Sequence, residues 1–314
     1  MSKDKFVEVS AAVLQRPDGS FLLAQRPSDK IWAGYWEFPG GKVEAGETAH
    51  HALVRELYEE LGITVQTAYP WLTRVFTYPH ATVRLRFFRV TAWTGELHPH
   101  EGQQFAWQQP GATNVAPILP ANAPILRALE LPAFYAISNV AELGVAAFMA
   151  SLQARLDEGL KLVQLREKNL SGAALHSLAQ QVVALAHSCG AKVLLNGDVA
   201  LVQEVGADGV QLTSAQLASL AQRPDVDWCA ASCHGIEELR RAEMLGCDFA
   251  LLSPVLPTQS HPGAVHLGWD KFAAIAAEAT IPVYALGGLK QDDMQSAWEH
   301  GAHGIALLRQ AWGS

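Results

Sequence analysis

Eight short apolar runs set the strongest constraint on this chain. AFYAIS, LVQLR, KVLLN, GVQL, WCAAS, FALLS, PVYALGG and GIALL follow one another between residues 131 and 314, separated by helical stretches. Short apolar runs of this kind read as buried strands. Strands that alternate with helices pair in parallel, because a parallel connection needs a crossover long enough to hold a helix. Eight such units predict a (β/α)8 TIM barrel, here a short one.

Residues 1–130 have another rhythm. FVEVSAAVLQ and FLLAQR flank Pro17-Asp18-Gly19, a hairpin signal, and ATVRLRFFRV sets Val83, Leu85 and Phe87 against Arg84 and Arg86. Such strands build a mixed or antiparallel sheet. The exception is residues 48–61, where Leu53, Leu57 and Leu61 recur at four-residue spacing beside Val54 and predict an amphipathic helix. ILPANAPILRALELP, residues 118–132, reads as the junction, with prolines around a short helix. The expected organisation is α/β throughout, with one domain over 1–130 and a barrel domain over 131–314, which suits a chain of 314 residues.

Composition narrows the partners. The net charge of −8 is uneven: residues 1–130 hold 12 Lys+Arg against 13 Asp+Glu, leaving 11 against 18 for the rest. Neither half has the positive field that direct nucleic-acid binding needs. No apolar run is long enough to span a membrane, and the N-terminus lacks a signal-peptide core, so a cytoplasmic protein is expected. The four cysteines form no Cys-x-x-Cys pair and read as reduced structural thiols rather than zinc ligands. Oligomeric state is left open by the sequence.

The predicted helix carries an electrostatic problem. Glu56, Glu59 and Glu60 fall within an arc of about 100° beside the leucine stripe. Two such charges about 4 Å apart repel by roughly 4 kcal/mol at an effective dielectric of 20, unless a cation sits between them. Carboxylate oxygens favour Mg2+, with Mn2+ as the substitute. Upstream, Gly40 and Gly41 let the backbone approach a ligand closely, and Arg55 can orient a carboxylate through its fork of donors. A charge run alone is more often a solvated helix face.

The spacing decides otherwise. Gly41, Glu47, Arg55-Glu56-Leu57, Glu59-Glu60 and Gly62-Ile63 match all nine defined positions of the Nudix box, so the segment resembles the family that hydrolyses diphosphates linked to another moiety. The resemblance implies a Nudix α/β/α sandwich and an Mg2+-dependent hydrolase. It further implies Glu56 as general base and the Gly40 carbonyl, Glu56, Glu59 and Glu60 as metal ligands. The flanks LLAQRP, WEFPGGK, HPHEGQQFAW and PANAP are similar to MutT-type 8-oxo-dGTP diphosphatases across residues 5–130. In that pattern Arg26 contacts the nucleotide, with Glu37 also among the substrate-binding positions. Phe38 packs in the base pocket, Asn122 bonds the oxidised guanine and Glu101 adds a metal-linked carboxylate. Taken singly, Phe38 reads as core, Arg26 as a strand end and Asn122 as a turn or helix cap. Trp32 and Trp36 read as loop and core packing.

VQLREK, GADGVQL, SCHGIEELRRAEMLGCDFALLSPVLPTQSHPGA and IPVYALGGL resemble the thiamine phosphate synthase and thiazole tautomerase superfamily over residues 132–310. Arg166, Lys168, Asn196, Thr258 and Ser260 match positions around its pyrophosphate and pyrimidine, and Gly288 lies on the loop after the seventh strand. The departures weigh as much. Asn196-Gly197 stands where the synthase has Asn-Asp, Gln216 replaces an acidic residue and His261 a lysine, so synthesis of thiamine phosphate is not expected. His234 fits an acid or base of a tautomerase, and equally a structural histidine capping the next helix. Three readings follow: a nucleotide-pool hydrolase acting on 8-oxo-dGTP, a Nudix hydrolase of thiamine-pathway pyrophosphates, or a hydrolase whose barrel is a ligand-binding module.

Overall fold

The computed structural model describes residues 6–100, 102–258, 263 and 265–313, so Glu101, Ser260 and His261 lie outside the described residues. The chain divides into two compact units, Met1–Glu130 and Leu131–Ser314.

The first unit holds two sheets. Strands β1 (Val7–Leu14), β2 (Phe21–Gln25), β3 (Trp36–Glu37) and β4 (Gly40–Lys42) precede helix α1 (Ala49–Leu61). After it come β5 (Thr64–Tyr78), β6 (Ala81–Thr94), β7 (Phe105–Gln108) and helix α2 (Ala123–Leu129). One sheet runs β4-β1-β6-β5, with β1 parallel to β6 and the other pairings antiparallel. The second is antiparallel β3-β2-β7.

Alternation along β1 explains the layering. Ala11 and Val13 face one core with Phe21, Phe87, Ile125 and Leu129, whereas Ala12 and Leu14 face another with Leu53, Leu57, Leu61 and Val90. The sheets are thus covered by α1 on one side and α2 on the other, an α/β/α sandwich. Thr48 caps α1, its hydroxyl accepting the His51 N–H at 3.2 Å, and Gly62 ends it with φ +69°. Leu53, Leu57 and Leu61 are fully buried, and each contributes roughly 1.5–3 kcal/mol of burial that fixes which face α1 turns outward. The Pro17-Asp18-Gly19 turn forms, with Asp18 accepting the Ser20 N–H at 2.9 Å. It joins its strands by the single bridge Gln15–Phe21, because β1 and β2 belong to different sheets.

The second unit is a closed barrel of parallel strands. These are β8 (Phe134–Ile137), β9 (Leu162–Leu165), β10 (Lys192–Asn196), β11 (Gly209–Leu212), β12 (Trp228–Cys233), β13 (Phe249–Leu252), β14 (Val283–Leu286) and β15 (Gly304–Leu307). Alternate residues point in and out: Val163, Leu195, Val210 and Ile305 meet the outer helices, while Tyr135, Trp228, Phe249 and Tyr284 fill the interior. Three of these inner rings pack at centroid distances of 5.3–5.7 Å, so the barrel is plugged along its axis. Space opens at the mouth lined by residues at the C-terminal ends of the strands.

Candidate functional site

Arg55 is the centre of the acidic ridge. Its guanidinium donates to Glu47 Oε1 at 2.8 Å, Glu56 Oε1 at 2.8 Å, Glu59 Oε2 at 3.1 Å and the Lys42 carbonyl at 3.0 Å. These bonds raise the Arg55 pKa, and Arg55 together with the Glu44 N–H holds the Glu47 carboxyl below the usual carboxylate range. Glu60 turns away from this fork and accepts the Gly40 N–H at 3.3 Å. Gly40 is required by the backbone beside it, and Gly41 leaves room for a carboxylate. A Cβ on Gly40 would overlap the Ser10 carbonyl of β1, and one on Gly41 would overlap the Glu56 carboxylate, which therefore lies directly on the loop backbone.

Among the described residues no group of three or more His, Cys, Asp or Glu is arranged to hold a metal ion. The expected ligand set of Gly40, Glu56, Glu59, Glu60 and Glu101 is therefore not seen as a metal cluster. Arg55 and the Gly40 N–H each engage one oxygen of Glu56, Glu59 and Glu60, which leaves each carboxylate further lone pairs, and Glu101 lies outside the described residues. The donor chemistry of the ridge, all oxygen with one glycine-bounded approach, fits a hard divalent cation.

The predicted nucleotide side divides in two. Phe38 is 4% exposed and packs between Phe21 and Phe87 at 5.8 Å from each, so it belongs to the sandwich core. Arg26 donates through Nε to the Ile31 carbonyl at 2.8 Å and through Nη1 to Glu37, pinning the loop that follows β2. Burial pushes the Glu37 carboxyl up, and Arg26 opposes this. Asn122 is 2% exposed, and its side chain makes no capping bond although it stands at the α2 N-cap. Its Nδ2 is buried without a hydrogen-bond partner. An orphaned buried donor costs about 1–3 kcal/mol, which a ligand acceptor would recover.

Sequence reasoning missed the aromatic corner next to Asn122. The Ala121 backbone hydrogen-bonds the Tyr78 hydroxyl, whose pKa burial and the Glu37 charge push up. Trp32 lies 6.1 Å from the Tyr78 ring and edge-on to Tyr35 at 5.0 Å. Trp32 has φ +65°, a left-handed conformation costing an L-residue about 1–2 kcal/mol. No local pattern announces it, because loop strain depends on the closed chain and not on composition.

At the barrel mouth a cavity of about 780 Å³ is lined by Arg166, Lys168, Asn196, His234, Thr258 and Gly288, six of the predicted barrel residues. Lys290 and Arg309 also line it, and among its described lining residues there is no Asp or Glu. Desolvation lowers the Arg166 pKa. Gln216 closes a capping box with Thr213 and donates to the Gly197 carbonyl at 2.6 Å, so a neutral amide fills the gap between these loops. His234 is not a helix cap. Its Nδ1 lies 2.8 Å from the Ser253 carbonyl, and the next helix, Ile236–Leu245, has Gly235 as its N-cap and no side-chain capping bond.

A loop-helix-loop with this carboxylate ridge, set on an α/β/α sandwich, defines a hydrolase of diphosphate anhydrides joined to a (β/α)8 barrel. Residues 10–128 match the model of the NUDIX domain and residues 134–311 that of thiamine monophosphate synthase, and the chain belongs to both families. Over 124 residues, 40% of this chain and 91% of the relative, it is 41% identical to a CTP pyrophosphohydrolase of Escherichia coli (strain K12). It is 38% identical to an 8-oxo-dGTP diphosphatase of Haemophilus influenzae over 125 residues, 40% of this chain and 92% of that protein. The barrel is 32% identical to a thiamine-phosphate synthase of Herpetosiphon aurantiacus over 176 residues, 55% of this chain and 85% of that protein. No helix among the described residues is long and apolar enough to cross a membrane.

Proposed function

We propose that residues 1–130 act as a separate domain that hydrolyses nucleoside triphosphates to the monophosphate and pyrophosphate, with 8-oxo-dGTP as the preferred substrate. Mg2+ is the proposed cofactor, with Mn2+ able to replace it. The buried, unpartnered Nδ2 of Asn122 carries the choice of substrate, because an amide can contact a base edge through two atoms at once. Relatives named for 8-oxo-dGTP support this reading, while the relative named for CTP supplies its competitor.

The Gly40 carbonyl, Glu56, Glu59 and Glu60 would hold the cation, together with Glu101. When bound, the cation neutralises phosphate charge and acidifies a water. Glu56 takes the proton of the attacking water, and Arg55 fixes Glu56 and Glu59 at 2.8 and 3.1 Å so that neither swings out of line. Replacing Asn122 by Ala is expected to lower kcat/KM for 8-oxo-dGTP by about 10-fold more than for dGTP, the value of one bidentate base contact. An equal loss on both nucleotides would remove Asn122 from base recognition.

For residues 131–314 the cationic cavity free of described carboxylates favours a phosphate ester held without a divalent cation, rather than thiamine phosphate synthesis. Inorganic phosphate is expected to raise the full-length protein's Tm equally with and without EDTA, and Arg166→Ala is expected to remove the shift. A shift that needs Mg2+ would contradict this reading.

A further inference from the structure

The loop between β2 and β3 is built around a strained aromatic residue. Its ends are tied by Arg26 N–H to the Tyr35 carbonyl at 2.8 Å and by Gly34 N–H to the Arg26 carbonyl at 3.0 Å. The Arg26 side chain holds the middle through the Ile31 carbonyl. Compact loops with tied ends are common carriers of function, and backbone strain persists where the surroundings over-determine it. Here the surroundings hold Trp32 at φ +65°, half-buried, with its ring against Tyr35 and Tyr78.

Tyr78 links this loop to Asn122. It ends β5, at the tip of the hairpin with β6, and is bonded by the backbone of Ala121, the residue before Asn122. The two rings meet at 53°, and Tyr78 is itself braced by Phe76 at 4.6 Å and by a stacked His80 at 5.6 Å. Trp32 is thus one ring contact and one backbone bond away from the neighbour of the residue that carries the orphan donor. An apolar ring face together with such a donor can bind a heterocycle by stacking and an edge hydrogen bond.

We infer that Trp32, supported by Tyr78, is the stacking wall for the nucleobase, supplying affinity for any base, while Asn122 supplies the choice among bases. This rests on the nucleotide reading above. It also gives Arg26 a positioning role, because its guanidinium is bonded to the loop and to Glu37. Stacking is tolerant of base identity, so its loss is uniform.

The test is steady-state kinetics of full-length Trp32→Ala and Trp32→Phe on 8-oxo-dGTP, dGTP and CTP. Trp32→Ala is expected to raise KM about 10-fold on all three with kcat within about twofold, and Trp32→Phe to restore most of the loss. The retained kcat reports an intact fold. An unchanged KM in Trp32→Ala, a fall in kcat alone, or a loss that Trp32→Phe shares in full would each overturn the inference while leaving the nucleotide reading standing. Failure of the wild-type protein to hydrolyse any of the three would overturn both.

Discussion

Glu56→Gln is expected to lower kcat for nucleotide hydrolysis by about 1,000-fold, with KM within a few-fold of the wild type. Gln keeps the shape of Glu56, and its oxygen can still accept from Arg55. It cannot take the water proton, and it removes one negative charge from the ridge that faces the cation. Glu56 lies against the backbone of Gly41, where no Cβ displaces it, and the isosteric amide can occupy the same place. Steady-state pyrophosphate release at saturating Mg2+ measures the effect. A loss below about 10-fold would move the base elsewhere on the ridge.

Arg55→Ala is expected to cost both activity and stability. Arg55 bonds Glu47, Glu56, Glu59 and the Lys42 carbonyl, and its removal leaves three carboxylates facing one another. Repulsion between partly exposed charges is screened, so the expected destabilisation is about 1–2 kcal/mol in metal-free buffer, with kcat down about 100-fold as Glu56 and Glu59 lose their alignment. Added Mg2+ should raise the variant's Tm more than the wild type's, because the cation replaces the missing positive charge. Arg55→Lys is not expected to restore activity, since a single ammonium cannot span all four partners. Thermal melts with and without Mg2+ distinguish this from a merely structural arginine, for which the Mg2+ increments would be equal.

Much of this was legible in the chain because it is local. The four-residue leucine spacing, Thr48 and Gly62 mark both the length and the buried face of α1, and the glutamate spacing follows from the same helix. The barrel was readable from its apolar runs because each strand is buried on both faces. What the sequence concealed depends on distant parts of the chain. Phe38 taken singly reads as core, but that Phe21 and Phe87 are its ring partners depends on where β2 and β6 bring them. The bond from Arg26 Nε to the Ile31 carbonyl forms because the loop returns, which no local pattern announces. Asn122 taken singly reads as a turn or helix cap, and the missing capping bond, which depends on how the chain enters α2, is not written in the local sequence. Gln216 shows the opposite case: its missing charge was visible at once, while its amide bridge to Gly197 was not.

The central claim is met most directly by pyrophosphate release from the full-length protein with Mg2+. It compares 8-oxo-dGTP, dGTP, CTP and thiamine-pathway pyrophosphates at equal low concentration, with Glu56→Gln as the blank. The expected result is a kcat/KM for 8-oxo-dGTP about 10-fold or more above each of the others. A higher kcat/KM for a thiamine-pathway pyrophosphate would contradict it, and would make the barrel rather than Asn122 the guide to the substrate.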